Sequence, residues 1–192
     1  MIISIERECG CGAHEVAEKL SGKYALALYD KESLIERAKD TGCFDDLKDF
    51  FDEHTFNSLL YSVAKNGEIP EFGKKTFDIL RTLTEDDGFL LIGRCGNYVY
   101  RKHESLVSVF LHGEVPDRIK RTMEKTGLDR WRAGKLIDEV DDRRRSFHKY
   151  YTGRQWGYAP EYDLCINTSH TGVEGAVALI EDYIRYKFEG GY

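Results

Sequence analysis

The first twenty residues constrain this chain most. A β-branched apolar run, Ile2 to Ile5, is followed closely by Cys9-Gly10-Cys11-Gly12 and then by Val16, Ala17 and Leu20 at helical spacing. The order reads strand, glycine loop, helix. Glycines at 10 and 12 let backbone N–H groups come close to phosphate oxygens, and the helix start adds a favourable dipole. The full GxxxxGK[ST] signature is absent: with Gly12 as the last glycine, Arg7 stands at the first glycine, Ala13 at the lysine and His14 at the Ser or Thr. A tight turn that needs glycine for positive φ and binds nothing is the competing reading. Cys9, Cys11 and His14 also suggest a metal site, but His14-Glu15-x-x-Glu18 is not HExxH and no further ligands cluster nearby.

Beyond the loop, Gly22 is placed to end the first helix, and Tyr24 to Tyr29 reads as a second strand. Asp30 then suits the N-cap of a helix carrying Leu34, Ile35 and Ala38. From Phe44 to Leu83 apolar residues recur at three- and four-residue intervals, broken near Gly67 and Pro70, which predicts a mainly helical insert. Residues 89 to 92 are continuously apolar and Leu106 to Leu111 nearly so, as strands covered on both faces are. Pro116 starts a helix reaching Gly127, a long polar helix runs from about Asp129 to Tyr150, and a short strand at Leu164 to Ile166 leads through Thr171-Gly172 into a last helix. Strands alternating with helices predict a mostly parallel, helix-covered sheet. At 192 residues the chain suits a single domain.

No apolar run approaches the roughly 20 residues of a membrane-spanning helix. The start lacks a signal-peptide layout, and five scattered cysteines fit reduced thiols, so a cytoplasmic protein is expected. The net charge of −6 is unevenly spread: residues 118 to 154 hold 12 Lys or Arg against 6 Asp or Glu. Arginines in such number point to a polyanionic ligand, since they bind phosphate oxygens in a fork and neutralise a transferring group. A solvated helix face with locally paired arginines is the alternative. Polynucleotide binding is a rival use, against which the acidic remainder counts.

Taken together, Glu6-Arg7-Glu8-Cys9-Gly10-Cys11-Gly12-Ala13-His14-Glu15-Val16, Ile92-Gly93-Arg94-Cys95, Tyr150-Tyr151-Thr152-Gly153-Arg154-Gln155-Trp156-Gly157 and Tyr162-Asp163-Leu164 resemble the cytidylate-kinase-like family of P-loop proteins. The resemblance extends over nearly the whole chain. It implies an α/β three-layer P-loop NTPase fold: a five-stranded parallel sheet covered by helices, a helical acceptor-binding insert at about 31–86 and an arginine-rich lid at 115–157. It also implies γ-phosphoryl transfer from ATP, with Mg²⁺, to a small nucleotide such as CMP. Members typically carry a loop like Ser-Arg-Glu-x-Gly-Ser-Gly-Gly-Arg-Glu, so His14 here replaces an arginine that stands in for the missing lysine.

On that reading Arg7, Glu8, Cys9, Gly10, Cys11, Gly12, Ala13, His14 and Glu15 form the phosphate loop. Arg118, Arg121, Arg143 and Arg144 are the candidate catalytic cations. Arg118 and Arg121 lie one helical turn apart, whereas Arg143, Arg144 and Arg145 fan around a helix and cannot all face one ligand. Arg94 and Asp30 are candidates for the acceptor end: Arg94 contacts the acceptor phosphate or anchors its own loop, and Asp30 binds or caps. No protein ligand for the metal stands out. Tyr150, Tyr151, Trp156 and Tyr158 offer rings on which a base can stack, but read first as packing at the lid's far hinge. A catalytically silent nucleotide-binding module, or a binder of another anion, is the alternative function, and homo-oligomerisation is left open.

Overall fold

The computed structural model describes residues 1–52, 71–84 and 88–190; the expected insert residues Leu59, Leu60, Val63, Gly67 and Pro70 lie outside them. Strand β1 (Ile2–Arg7) is followed by α1 (Ala13–Tyr24), β2 (Ala27–Tyr29), α2 (Lys31–Asp40), α3 (Phe44–Asp52) and α4 (Glu71–Leu83). Then come β3 (Phe89–Ile92), the single turn α5 (Gly96–Val99), β4 (Leu106–His112), α6 (Val115–Thr126), α7 (Arg130–Thr152), a 3₁₀ turn (Ala159–Glu161), β5 (Leu164–Asn167) and α8 (Thr168–Phe188). The five strands form one parallel sheet in the order β2-β3-β1-β4-β5.

The sheet's two faces explain the unbroken apolar runs. Ile3 and Ile5 of β1, Leu90 and Ile92 of β3 and Val107, Val109 and Leu111 of β4 pack on Val16, Ala17, Leu20, Ile180 and Ile184 of α1 and α8. Their neighbours Ile2, Phe89, Leu91 and Leu106 face the opposite side, against Leu34, Phe50, Phe51, Phe77 and Leu80. A period-two strand buried on both faces shows no polar alternation, as a sheet layered between helices requires. The loop that follows central β1 thus emerges at the carboxyl end of the sheet, where ligands of such folds gather.

The first helix does not stop at Gly22. It runs on to Tyr24 and ends at Ala25 with φ 52, so β2 is only three residues long. The last helix begins at Thr168, earlier than the Thr171-Gly172 pair suggests, and kinks at Gly172 with φ 63. Helix α7 is not polar throughout: Ala133, Ile137, Asp141, Phe147, His148, Tyr151 and Thr152 are buried, so its second half belongs to the core. Of the four hinge aromatics Tyr151 and Trp156 are buried, Tyr150 packs partly on the core, and Tyr158 is exposed.

His148 is 1% exposed and lies near Asn97 Oδ1, the Arg154 carbonyl and Thr152 Oγ1. Burial lowers its pKa, outweighing the opposing pull of Glu6. The unfolded chain therefore takes up this proton first. His148 should thus cost no stability above its ordinary value near 6.5 and a growing amount as pH falls through it towards the lowered folded value. Urea titrations at pH 7.5 and 5.5 should show the loss, and His148→Gln should flatten that part of the slope; an unchanged slope in the variant would refute it.

Candidate functional site

The glycine loop is built by its positive-φ residues. Gly10 (φ 84) and Gly12 (φ 74) are both left-handed, and Gly12 caps α1 without any side-chain hydrogen bond. The first helical bond runs from Val16 N–H to the Gly12 carbonyl. Among the described residues, no protein group accepts from the backbone N–H groups of Gly10 to Glu15, six successive donors around a helix start. Unpaired donors in series at a helix N-terminus form an anion cradle.

Beside the cradle lies a cleft of about 440 Å³. It is lined by the whole of 7–15, by Asp30, Lys31 and Glu32 at the start of α2, and by Arg94 at the end of β3. Arg121 and Lys125 reach it from α6, Arg143 and Arg144 from α7. One turn of α6 and one of α7 thus bring together residues far apart in sequence, because the two helices pack against each other. A second cavity of about 250 Å³ adjoins it, between α6 and the start of α8, with Gly10 and Arg121 bordering both.

Arg121 lies against the loop at Gly12. A Cβ built on Gly12 would fall 1.8 Å from Arg121 Nη1, so this guanidinium rests directly over the glycine that opens α1. No carboxylate among the described residues pairs with Arg121. Arg143 is exposed and Arg144 half-buried; Arg144 Nη1 donates to the Arg7 carbonyl at 3.2 Å and stands 3.9 Å from Asp141 Oδ1. Arg145 turns away to Asp142 and the Trp156 ring, as the fan of three requires.

Arg118 is placed differently from the other three. It is 5% exposed and does not line the cleft; Nη1 lies 2.7 Å from Glu8 Oε2 and Nη2 2.8 Å from Asp141 Oδ2. Two carboxylates hold its guanidinium out of the larger cleft, and the residue borders the smaller cavity instead. Desolvation works against this cation, and Asp141 and Glu8 more than compensate, so it remains charged. Asp141 also accepts the Cys9 backbone N–H at 2.7 Å. Its carboxyl is shifted upwards because burial outweighs the Cys9 N–H and the neighbouring arginines.

At the acceptor end, Asp30 is the N-cap of α2 in a reciprocal capping box with Ser33, one carboxylate oxygen taking the Ser33 N–H at 2.9 Å. Arg94 is buried, donates to the Phe50 carbonyl at 2.7 Å and lies over the Phe50 and Phe147 rings. It thereby fastens α3 to the end of β3. The turn that presents it, Gly93-Arg94-Cys95, is left-handed at all three residues. Glu6, itself buried, braces that turn: Oε1 accepts the Cys95 N–H and Oε2 the Trp156 indole N–H. The Arg7 guanidinium lies against Gly93, where an added Cβ would fall 2.2 Å from Nη1.

His14 is exposed and points along α1, its Nε2 3.4 Å from Glu18 Oε1. Burial raises the Cys9 thiol and pushes Cys11 up to about 12, which keeps both protonated at neutral pH and poorly suited to binding a metal. Among the described residues no group of three His, Cys, Asp or Glu side chains is placed to hold a metal ion. No helix among them is long and apolar enough to cross a membrane.

A model of the cytidylate kinase-like family matches residues 2–170. The chain belongs to that family. A search of curated proteins gives no match. Among solved structures, an uncharacterized protein from Eubacterium ventriosum is 30% identical with a TM-score of 0.75, covering 97% of this chain and 98% of its own. Shikimate kinase from Bacteroides thetaiotaomicron (12% identity, TM-score 0.53, coverage 96% and 98%) and a gluconokinase from Sinorhizobium meliloti (11%, 0.53, 99% and 97%) share the fold. Within this family member, sequence reasoning missed Lys125, Lys31 and above all Asp141. The signal for Asp141 was an acid in register with Ala133 and Ile137, four residues apart on the buried face of α7.

Proposed function

We propose that the chain transfers the γ-phosphoryl group of ATP to a small phosphate-bearing acceptor of the nucleoside monophosphate class, such as CMP. The observation that carries this is the six-donor cradle of Gly10 to Glu15 opening onto a cleft faced by Arg121, Lys125, Arg143 and Arg144. In this reading the cradle holds the donor phosphates and Arg121, over Gly12, supplies the charge that the loop's missing lysine leaves out. Arg143 and Arg144 approach the transferred group from α7. The donor's nucleoside would extend into the smaller cavity beside Lys120, Thr168 and Ser169. Lys31 and the α2 N-terminus, with Arg94 behind them, lie on the acceptor side.

Transfer between phosphates needs no general base, because the acceptor oxygen is already nucleophilic; the protein's part is positioning and charge. The residues present do not fit a protein-held Mg²⁺. His14 stands at the loop hydroxyl's position, Glu8 and Asp141 are paired with Arg118, and Asp30 caps α2. Among the described residues the acids of the cleft, Glu15 and Glu32 included, form no group of three ligands for a metal ion. Mg²⁺ would enter on the nucleotide's own oxygens, and no step here is assigned to it. A nucleotide-binding protein without turnover is the second reading, favoured by the His14 side chain lying towards Glu18.

Incubation with Mg-ATP and a panel of CMP, dCMP, UMP, AMP and GMP should give acceptor-dependent ADP, reduced by about 100-fold in Arg144→Ala, the scale of one lost transition-state contact. ATP binding without ADP formation on any acceptor would favour the silent reading.

A further inference from the structure

The bonds around Arg118 close into a ring. From the loop, Cys9 N–H goes to Asp141 Oδ1; from Asp141 Oδ2 the path runs to Arg118 Nη2, and from Arg118 Nη1 to Glu8 Oε2. Glu8 and Cys9 are joined by a peptide bond, so four residues from three segments form one circuit. Glu8 Oε2 also accepts the Gly113 N–H at 3.1 Å, which ties in the turn between β4 and α6. The fit is close on the backbone side as well: a Cβ on Gly10 would fall 2.6 Å from the Arg118 carbonyl oxygen. Arg118 and Asp141 are each about 5% exposed, so the ring is a built interior feature and no solvent-screened surface pair.

Its place relative to the cleft gives it a role. Arg121 lies three residues after Arg118 on α6, and Arg144 three residues after Asp141 on α7. Side chains three apart on a helix lie on one face, one above the other. Each ring residue therefore sits one turn beneath a cleft arginine, and fixing the ring against the loop fixes where both guanidiniums stand. We infer that Asp141 and Glu8, through Arg118, are positioning residues that pre-assemble Arg121 and Arg144 on the phosphate loop before any nucleotide arrives. Pre-organised charge loses little freedom on binding, so the ring acts on affinity for the polyphosphate. This inference rests on the kinase reading of the cleft.

Calorimetric titration of the full chain with ATP tests it. Asp141→Asn keeps an acceptor for the Cys9 N–H but removes the charge facing Arg118, and should raise Kd about 10-fold. Asp141→Ala removes both and should raise it about 100-fold. For each variant the folded fraction is measured by urea unfolding under the titration conditions and the apparent Kd corrected by it. Reversible unfolding weakens apparent binding in proportion to the unfolded fraction, and irreversible misfolding lowers stoichiometry; the rise in Kd should survive that correction. Asp142→Asn, next on the helix but paired outward with Arg145, should leave Kd unchanged. Wild-type binding with Asp141→Ala equally tight, or with stoichiometry alone reduced, would overturn the inference and leave the kinase reading standing. Wild-type protein that binds no nucleotide would overturn both.

Discussion

Gly12→Ala should weaken ATP binding by about 100-fold while leaving the protein folded. The new Cβ would fall 1.8 Å from Arg121 Nη1, a separation no atoms sustain, so the guanidinium must leave the loop. Because the obstruction is the far end of a flexible side chain, it moves away at little cost to the fold. The left-handed φ of 74 adds strain of about 1–2 kcal/mol. Losing one charge-assisted contact is worth about 1.5–3 kcal/mol, which at its upper end is the 100-fold expected. Arg121→Ala should give a similar loss without the strain. The double variant should then add little beyond either single change, since both remove one contact. Additive losses, measured by calorimetry, would show that Gly12 and Arg121 act separately. Gly10→Ala is a different case: its Cβ would meet the Arg118 backbone, which cannot swing aside, so there folding itself should suffer.

Arg118→Ala should be among the most destabilising single changes in the described chain, about 3–5 kcal/mol in urea unfolding, because it leaves Asp141 and Glu8 facing each other without their counter-charge. The magnitude measures abandoned charges and not the worth of the ring against an uncharged alternative. Replacing all three together, as Glu8→Gln, Arg118→Met and Asp141→Asn, should therefore restore much of the lost stability. A triple variant as unstable as Arg118→Ala alone would show that the cost comes from packing. In that triple variant the fold recovers without the charged ring, so ATP affinity should remain low.

Much of this architecture was legible because its signals are local. Apolar runs at 89–92 and 106–111, Asp30 before Leu34 and Pro116 ahead of Gly127 each announce an element through its own residues. The ends of α1 and β2 were not, because Ala25 adopts a left-handed conformation that glycine usually takes and Gly22 does not use its freedom. The kink of α8 at Gly172 likewise hid the helical turn before it.

The site divides along the same line. Gly10 and Gly12 were readable from spacing, whereas the partition among the arginines was not: Arg118 and Arg121 are equivalent in a helical pattern, and only tertiary contact shows that one is enclosed by Glu8 and Asp141 while the other faces the cleft. Arg94 shows the same limit. Its place after a buried strand predicted proximity to ligand, but its hydrogen bond to the Phe50 carbonyl depends on where α3 packs.

On the proposed function, the Gly10 to Glu15 cradle and the arginines above it bind a polyphosphate. Calorimetric titration of the wild-type chain with ATP, ADP and AMP tests it most directly. Each further phosphate meets more of the cradle and its cations, so affinity should rise steeply from AMP to ADP to ATP. Equal affinity for all three, or no heat with ATP, would contradict the claim.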